Sequence, residues 1–264
     1  MGKSELMKMF VSRSYAMNPG CKFLVTSYSE DLVKKFSFEV MDTIQSQLYQ
    51  RLFGVELHKR SKRKEEWETV VGGAFRCGPL GGGLRGYGAG DISGMFGGAI
   101  IVDDYMKKDS NSAWERQIAI DCYKNVLVTR GNSNDTPIVI IAQRMHQEDL
   151  VGWLMENEPD EWDFYIVPTL NEDGTSIWED RISAEQLIKM RNGPNRFTFW
   201  SQYQQQPIVL GGDVIKSEWF QYYDANLPHA YKRVFISADT AFKANEWNDF
   251  SAFIVWGMTP ENRL

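Results

Sequence analysis

The sequence is poor in cysteine and histidine, with three residues of each type among 264. Cys21, Cys77 and Cys122 are odd in number and lack the spacing of a metal site, so we expect reduced, structural thiols in an intracellular protein. No apolar run is long enough to cross a bilayer. The formal net charge of −6 argues against a protein that coats nucleic acid through bulk positive charge, but it leaves room for a local basic surface.

What the sequence does have is short, apolar, β-branched runs that end in polar residues. In the most informative of them, residues 97–102 lead directly into Asp103 and Asp104. Such a run is typical of a strand buried on both faces of a parallel sheet, and open α/β sheets bind their ligands at the carboxyl ends of the strands. This is the form of a Walker B strand, in which Asp103 holds Mg²⁺ through water and Asp104 polarises the water that attacks ATP. The alternative is a buried strand whose Asp103 caps the next helix.

The first residues of the chain contain a second phosphate-related motif. Gly2-Lys3-Ser4 matches the last third of the phosphate-binding loop G-x-x-x-x-G-K-[ST]. In that loop Lys3 binds the β- and γ-phosphates, Ser4 binds Mg²⁺, and a helix over residues 4–17 directs its amide groups at the phosphates. Chance residues after a start codon are the alternative. Because the first glycine of the loop would precede Met1, we expect the chain to begin inside the loop.

Two further apolar runs, residues 22–28 and 136–142, are predicted to be strands, with a helix after Ser29. Strands that alternate with helices predict βαβ units and a mostly parallel sheet. The second run is followed by polar residues, among them Gln143, Arg144, His146 and Asp149. In ATPases with an additional central strand, a polar residue at this place senses the γ-phosphate. Asp149 as a helix-entry acid and His146 as a hydrogen-bonded loop residue are the alternatives, and no ligand partner indicates a metal at His146.

Three further segments lie between residues 58 and 128. The basic run at residues 58–64 is predicted to be a solvated loop, or else a contact for a phosphate backbone. The glycine-rich residues 78–91 form either a mobile surface loop or a loop that senses phosphate or faces a neighbouring subunit, with Arg85 as its cation. Ser110 or Asn111 is predicted to cap a helix that extends to about Val128.

The last part of the chain has the pattern of a separate domain. Residues 207–212 are predicted to form a domain boundary. Residues 233–239 are predicted to form a strand that ends at Asp239, and residues 248–257 an adjacent strand in a hairpin. From the pattern alone, Asp239 is a strand-end acid that would bind backbone amides.

In their order and spacing, these motifs resemble the large terminase subunit of tailed bacteriophages, the motor that packages viral DNA. The resemblance extends over nearly the whole chain. Its segments are residues 2–4 for the end of Walker A, 83–89 for the glycine-rich segment, 100–104 for Walker B, 143–150 for the coupling motif, 203–207 for the junction of ATPase and nuclease, and 237–241 for the first catalytic strand of the nuclease.

The resemblance implies an α/β fold, a P-loop NTPase of the additional-strand, RecA-like type with a mostly parallel sheet, followed by the first hairpin of an RNase-H-like nuclease domain. Residues 1–207 would be the ATPase domain with its linker subdomain, lacking the first strand and most of Walker A. Residues 208–264 would be the truncated start of the nuclease. The implied activities are ATP-driven translocation of double-stranded DNA into the procapsid and endonucleolytic cutting of concatemeric DNA, with the fragment itself inactive.

The resemblance also implies roles for particular residues. The expected catalytic residues are Asp104, Asp239 and Arg85, the last of them acting on a neighbouring subunit. The residues expected to contact ATP are Gly2, Lys3, Ser4, Gln143 and Arg144. The expected metal ligands are Ser4 and Asp103 for the Mg²⁺ of ATP, and Asp239 for Mg²⁺ or Mn²⁺ at the nuclease site.

The partners implied by the resemblance are double-stranded DNA, the portal protein, the small terminase subunit and further copies of the chain in a ring on the procapsid. No membrane is involved, and the protein would act in the host cytoplasm without remaining in the virion. Two other functions stay open from the residues alone. One is a helicase- or recombinase-like ATPase without a nuclease, against which Asp239 and residues 204–207 argue. The other is a non-catalytic remnant that only binds other motor subunits.

Overall fold

The structure is a computed structural model, and it describes residues 2–82, 84, 86–92, 95–107, 112–208, 231–239, 252–258 and 260, without the side chains of 60–62, 239 and 252. The chain forms two compact units, Met1–Ile208 and Val209–Leu264. The assignment of an ATPase and a nuclease to these units stays a prediction.

The first unit is built on a six-stranded sheet with the strand order β2-β3-β4-β1-β5-β6. Its strands are β1 (Lys22–Ser27), β2 (Leu57–Lys62), β3 (Glu66–Thr69), β4 (Ala74–Pro79), β5 (Ile100–Asp103) and β6 (Ile138–Ile141). The four strands β4, β1, β5 and β6 are parallel, and β2 and β3 pair in antiparallel fashion at one edge. The predicted mixed α/β fold with a mostly parallel sheet is therefore confirmed. The arrangement is compatible with an α/β NTPase-like fold.

Helices cover both faces of this sheet. Their bounds are α1 (Lys3–Met17), α2 (Glu30–Gln45), α3 (Gln47–Phe53), α4 (Ala113–Cys122), α5 (Leu150–Asn157), α6 (Ala184–Asn192) and α7 (Arg196–Thr198), with π-helical turns at Tyr123–Leu127 and Phe199–Tyr203 and a 3₁₀ turn at Val128–Arg130. Side chains of α1, α2 and α3 pack with Phe23, Val25 and Ile101 on one face. Side chains of α4 and α5 pack with Ile100 and Val102 on the other, since successive strand residues point to opposite faces.

The structure corrects two local predictions. The basic run at residues 58–64 is not a loop, because most of it lies in β2, the strand at one edge of the sheet. The helix near residue 110 is capped by Ser112, whose Oγ accepts the Glu115 amide while the Glu115 side chain reaches back to the Ser112 amide. Ser110 and Asn111 lie outside the described residues. As an α-helix, α4 ends at Cys122 instead of Val128.

The opposite edge of the sheet is formed by β6. All four of its residues are apolar, yet none is fully buried, which is unusual for a strand of this composition. In the described part of the chain, no strand pairs with its outer edge. The second unit shows one antiparallel pair, β7 (Arg233–Asp239) with β8 (Ala252–Met258). None of the described helices combines the length and the apolarity needed to cross a membrane.

Candidate functional site

The amino end of α1 lies over the carboxyl ends of β5 and β6. Ser4 Oγ donates a hydrogen bond to Asp103 Oδ1 at 3.0 Å, and Lys3 Nζ donates to the carbonyl oxygen of Ala142 at 2.6 Å. Gly2, the residue before the helix, has φ 78°, in the left-handed region that glycine adopts without strain. The structure thus brings Gly2, Lys3 and Ser4 together with the acid at the end of the neighbouring strand, 99 residues away from Ser4.

Asp103 is the last residue of β5 and is partly buried. Burial raises the pKa of its carboxyl group, and the hydrogen bond from Ser4 and the charges of Lys8 and Lys3 oppose that rise only in part. Because burial disfavours the ionised form of this carboxyl group, a cation bound beside it would stabilise the carboxylate. Asp103 does not cap the next described helix, because the cap of α4 is Ser112.

Asp104 follows with φ 55°, one of two described non-glycine residues with a left-handed backbone. Its backbone is held from three directions. The amide donates to Ile141 O at 2.8 Å, and the carbonyl accepts the Tyr28 amide at 2.9 Å and the Ser27 hydroxyl at 3.0 Å. Backbone strain of this kind costs on the order of 1 kcal/mol and persists only where surrounding contacts fix it, often at functional sites.

Asp104 lines a cavity of about 200 Å³ at this edge of the sheet, together with residues from the ends of β1 and β6. The other lining residues are Tyr28, Tyr105, Met106, Lys107, Ala142, Gln143 and Met145. Gln143 Oε1 is buried and has no hydrogen-bond partner among the described residues. Because an unpartnered buried acceptor is costly, this atom is suited to accept a hydrogen bond from a bound ligand or water.

The loop after β6 is organised around Asp149, which is fully buried and caps α5. Its carboxylate accepts Arg144 Nε at 2.9 and 3.1 Å, and the amides of Met145 and Gly152 at 2.9 Å. The predicted helix-entry role of Asp149 is confirmed. The Arg144 guanidinium also donates to the carbonyls of His146 and Gln147, so its described contacts lie within this loop and α5. Contact of Arg144 or Gln143 with a phosphate stays a prediction.

His146 is a hydrogen-bonded loop residue, as one of its two interpretations predicted. Its Nδ1 accepts the Glu148 amide at 3.1 Å. Burial, with Arg116 nearby, lowers the pKa of this imidazole, which keeps it neutral around pH 7.

Gln205 connects this loop to the end of the first unit, a contact that no local sequence pattern predicted. Gln205 Oε1 accepts the Arg144 amide at 3.1 Å, and Gln205 itself has φ 59°. Gln204 exchanges two hydrogen bonds of 3.0 Å with the backbone of Leu170. The segment that precedes the second unit is therefore bonded directly to the loop at the candidate site.

For the remaining predicted site residues the structure describes less. Arg85 lies outside the described residues. Asp239 ends β7, where its backbone pairs with Ala252, and nothing further is described of its side chain. In the basic run, Lys59 is exposed on β2, and Lys64 lies 5.9 Å from the Phe38 ring centre.

The donor set at Ser4 and Asp103 fits a magnesium ion that arrives with a nucleotide. Among the described residues, no group of three His, Cys, Asp or Glu side chains could hold a metal by itself. Mg²⁺ is commonly bound by one or two protein ligands, with phosphates and water completing its shell. A hydroxyl and a carboxylate 3.0 Å apart at a helix amino end satisfy that requirement.

No protein-family model matches this chain, and no curated protein matches it either. The fold and the site geometry by themselves define a mixed α/β protein with a cavity of mixed polar and apolar lining at the carboxyl edge of a mostly parallel sheet.

Proposed function

We propose that this chain carries the ATPase core of a large terminase subunit, which drives double-stranded DNA into a viral procapsid, and the start of the nuclease domain that cuts concatemeric DNA. The observation that carries the proposal is the hydrogen bond from Ser4 to Asp103. It supports the proposal because the end of a phosphate-binding loop and the acid of a Walker B strand are the two protein groups that hold Mg²⁺ in a P-loop NTPase. If Gly2-Lys3-Ser4 matched the motif only by chance, there would be no reason to expect a contact between Ser4 and Asp103.

ATP with Mg²⁺, when bound, supplies the phosphoanhydride bond and the cation that neutralises its charge. The residues that would hold it are Lys3, Ser4 and Asp103. Lys3 exchanges the Ala142 carbonyl for phosphate oxygens, and the amide groups of the first turn of α1 add their partial positive charge. Ser4 and Asp103 would hold the ion through the hydroxyl and the carboxylate that now bond to each other.

Asp104 is the proposed base. Its three backbone hydrogen bonds fix the backbone of Asp104 beside the cavity that this residue lines, and its carboxylate would accept a proton from the attacking water. Gln143 Oε1, a buried acceptor of a residue that lines the same cavity, would orient that water by accepting a hydrogen bond from its other O–H group. The contact from Arg144 to Gln205 then relays movement of this loop to the segment ahead of the second unit.

The nuclease part of the proposal rests on the position of Asp239 at the end of β7. Carboxylates at strand ends hold the divalent ions of RNase-H-like nucleases, and two ions roughly 4 Å apart stabilise the attacking and leaving oxygens. In the same proposal the protein forms a ring on the procapsid, binds the portal protein and the small subunit, and acts in the host cytoplasm.

The test is ATP turnover by the longest version of the protein that its gene encodes. Lys3→Ala removes a phosphate contact, and the expected loss is on the order of 10³-fold in rate. Asp104→Asn keeps the shape of the side chain but not the basic oxygen, so we expect ATP binding without turnover. Lys35→Ala, a change on the exposed surface of α2, is the matched control and should leave turnover unchanged. Full ATPase activity in Asp104→Asn would refute the proposed base.

A further inference from the structure

An apolar groove of about 450 Å³ runs between α1 and α3, on the face of the sheet opposite α4 and α5. Met9 and Met17 contribute to its wall while 68% and 70% exposed, and Phe53 is half exposed. Leu48 and Leu52 on α3 are also exposed. Arg13 is the one charged side chain among the described lining residues. Contiguous exposed apolar side chains beside a charge are typical of an interaction surface.

The groove is a fixed feature, because Tyr49 ties its two walls together. The Tyr49 hydroxyl donates to the Ser12 carbonyl at 2.6 Å, and its ring lies 4.9 Å from that of Phe53. Ser12 is also a lining residue, but it is only 4% exposed, so the accessible walls of the groove are mainly apolar side chains and Arg13.

The complementary surface is in the segment after α5. Residues 156–180 contain nine Asp and Glu and no Lys or Arg, whereas residues 1–64 contain twelve Lys and Arg and six Asp and Glu. Asp160, Glu161 and Asp163 are exposed, and they precede Tyr165, which is 89% exposed, and the exposed Ile166 and Val167. Acidic and apolar groups thus occur side by side, as a groove with apolar walls and an arginine requires.

The two surfaces cannot meet within one chain. Trp162 and Phe164 pack against the cluster formed with α4 and α5, so they hold the acidic segment on that face of the sheet. The groove belongs to the other face, where Val11, Tyr15 and Tyr49 pack. Two different, complementary patches on opposite faces of one unit produce head-to-tail contacts between copies, which close into rings or extend into filaments.

We propose that residues 160–167 of one copy dock into the α1–α3 groove of the next copy, with the acids facing Arg13 and Tyr165 among the methionines. The contact rests on these two surfaces and not on nucleotide binding, so it is expected without ATP or DNA. If the contact is not observed, the proposed ATPase function is not affected. If ATPase activity is not observed, the proposed contact is not affected.

The experiment measures self-association of the whole chain by sedimentation velocity over a range of protein and salt concentrations. The wild-type chain should associate, and more weakly as salt screens the charges. Arg13→Glu, the pair Asp160→Lys with Asp163→Lys, and Tyr165→Ala should each weaken association about tenfold or more. All of these residues are exposed, so circular dichroism should show an unchanged fold. Lys35→Glu, with the same charge change outside the groove, should associate like the wild type.

A mixing experiment tests the head-to-tail arrangement. The Arg13→Glu chain keeps its acidic segment, and the Asp160→Lys/Asp163→Lys chain keeps its groove, so each alone should be monomeric while an equimolar mixture forms dimers that grow no further. A monomeric wild type, association that is insensitive to Arg13→Glu, or a mixture without dimers would each overturn the proposal.

Discussion

Replacing Asp149 by alanine should destabilise the first unit far more than removal of a helix cap alone. The side chain is fully buried, caps α5, and pairs with Arg144, which is only 12% exposed. Loss of the cap costs about 1 kcal/mol. Removal of one partner from a buried ion pair costs about 3–5 kcal/mol, because the other charge is left without compensation. Since the two losses share the same atoms, they do not add fully, and we expect about 3–5 kcal/mol in total.

The assay is urea unfolding followed by circular dichroism, together with the thermal midpoint. For a unit of this size, the expected change corresponds to a midpoint lower by roughly 10 °C. The thermal midpoint of Asp149→Asn should lie between those of the wild type and Asp149→Ala, because asparagine is an equally good helix cap but carries no charge to pair with Arg144. A double-mutant cycle with Arg144→Ala should give a coupling energy above about 1 kcal/mol.

A loss of about 1 kcal/mol or less in Asp149→Ala would refute this reasoning. It would mean that Asp149 acts only as a cap and that Arg144 finds sufficient partners in the carbonyls of His146 and Gln147.

Three further predictions concern the proposed sites. Burial raises the pKa of Asp103 in the folded chain, so its contribution to stability is full at pH values below the unfolded pKa and is lost as the pH rises through the folded one. Asp103→Asn should therefore raise the thermal midpoint near neutral pH but hardly change it near pH 3, below the usual pKa of about 3.9; a lower midpoint at neutral pH would contradict this. DNA binding should be independent of sequence, and its salt dependence should flatten when the basic residues of the β2 edge are replaced by alanine, whereas an unchanged slope would leave that edge as solvated surface. Those residues are Lys59, Arg60, Lys62, Arg63 and Lys64. In the longest version of the protein, Asp239→Ala should abolish Mg²⁺- or Mn²⁺-dependent cleavage and leave ATP hydrolysis near normal, and surviving cleavage would refute the nuclease assignment.

Local patterns sufficed for the elements that carry the site. The β-branched runs at β1, β5 and β6 were predictable because each is short, apolar and followed by polar residues. The helix that begins beside Ser4 was predictable as well. Local patterns were less informative where two capping residues compete within a few positions, as Ser110 and Ser112 do, since the cap depends on which amide each hydroxyl can reach.

The basic run shows a different limit of sequence reasoning. Its charges indicate solvent exposure, and an edge strand satisfies that indication as well as a loop does. Whether residues 57–62 pair with β3 depends on the backbone hydrogen bonds available at the sheet edge, about which the side-chain composition says nothing.

By itself, the sequence determined the class of fold and the ends of strands at which polar residues gather, because both follow from hydrophobic periodicity over a few residues. Only the tertiary structure decided which of those ends meet. The contact of Ser4 with Asp103, that of Arg144 with Gln205, and the separation of the groove from the acidic segment depend on strand order and on helix placement across the two faces of the sheet. These are products of long-range packing, in which each pairing is fixed by burial of distant side chains and not by the sequence adjacent to it.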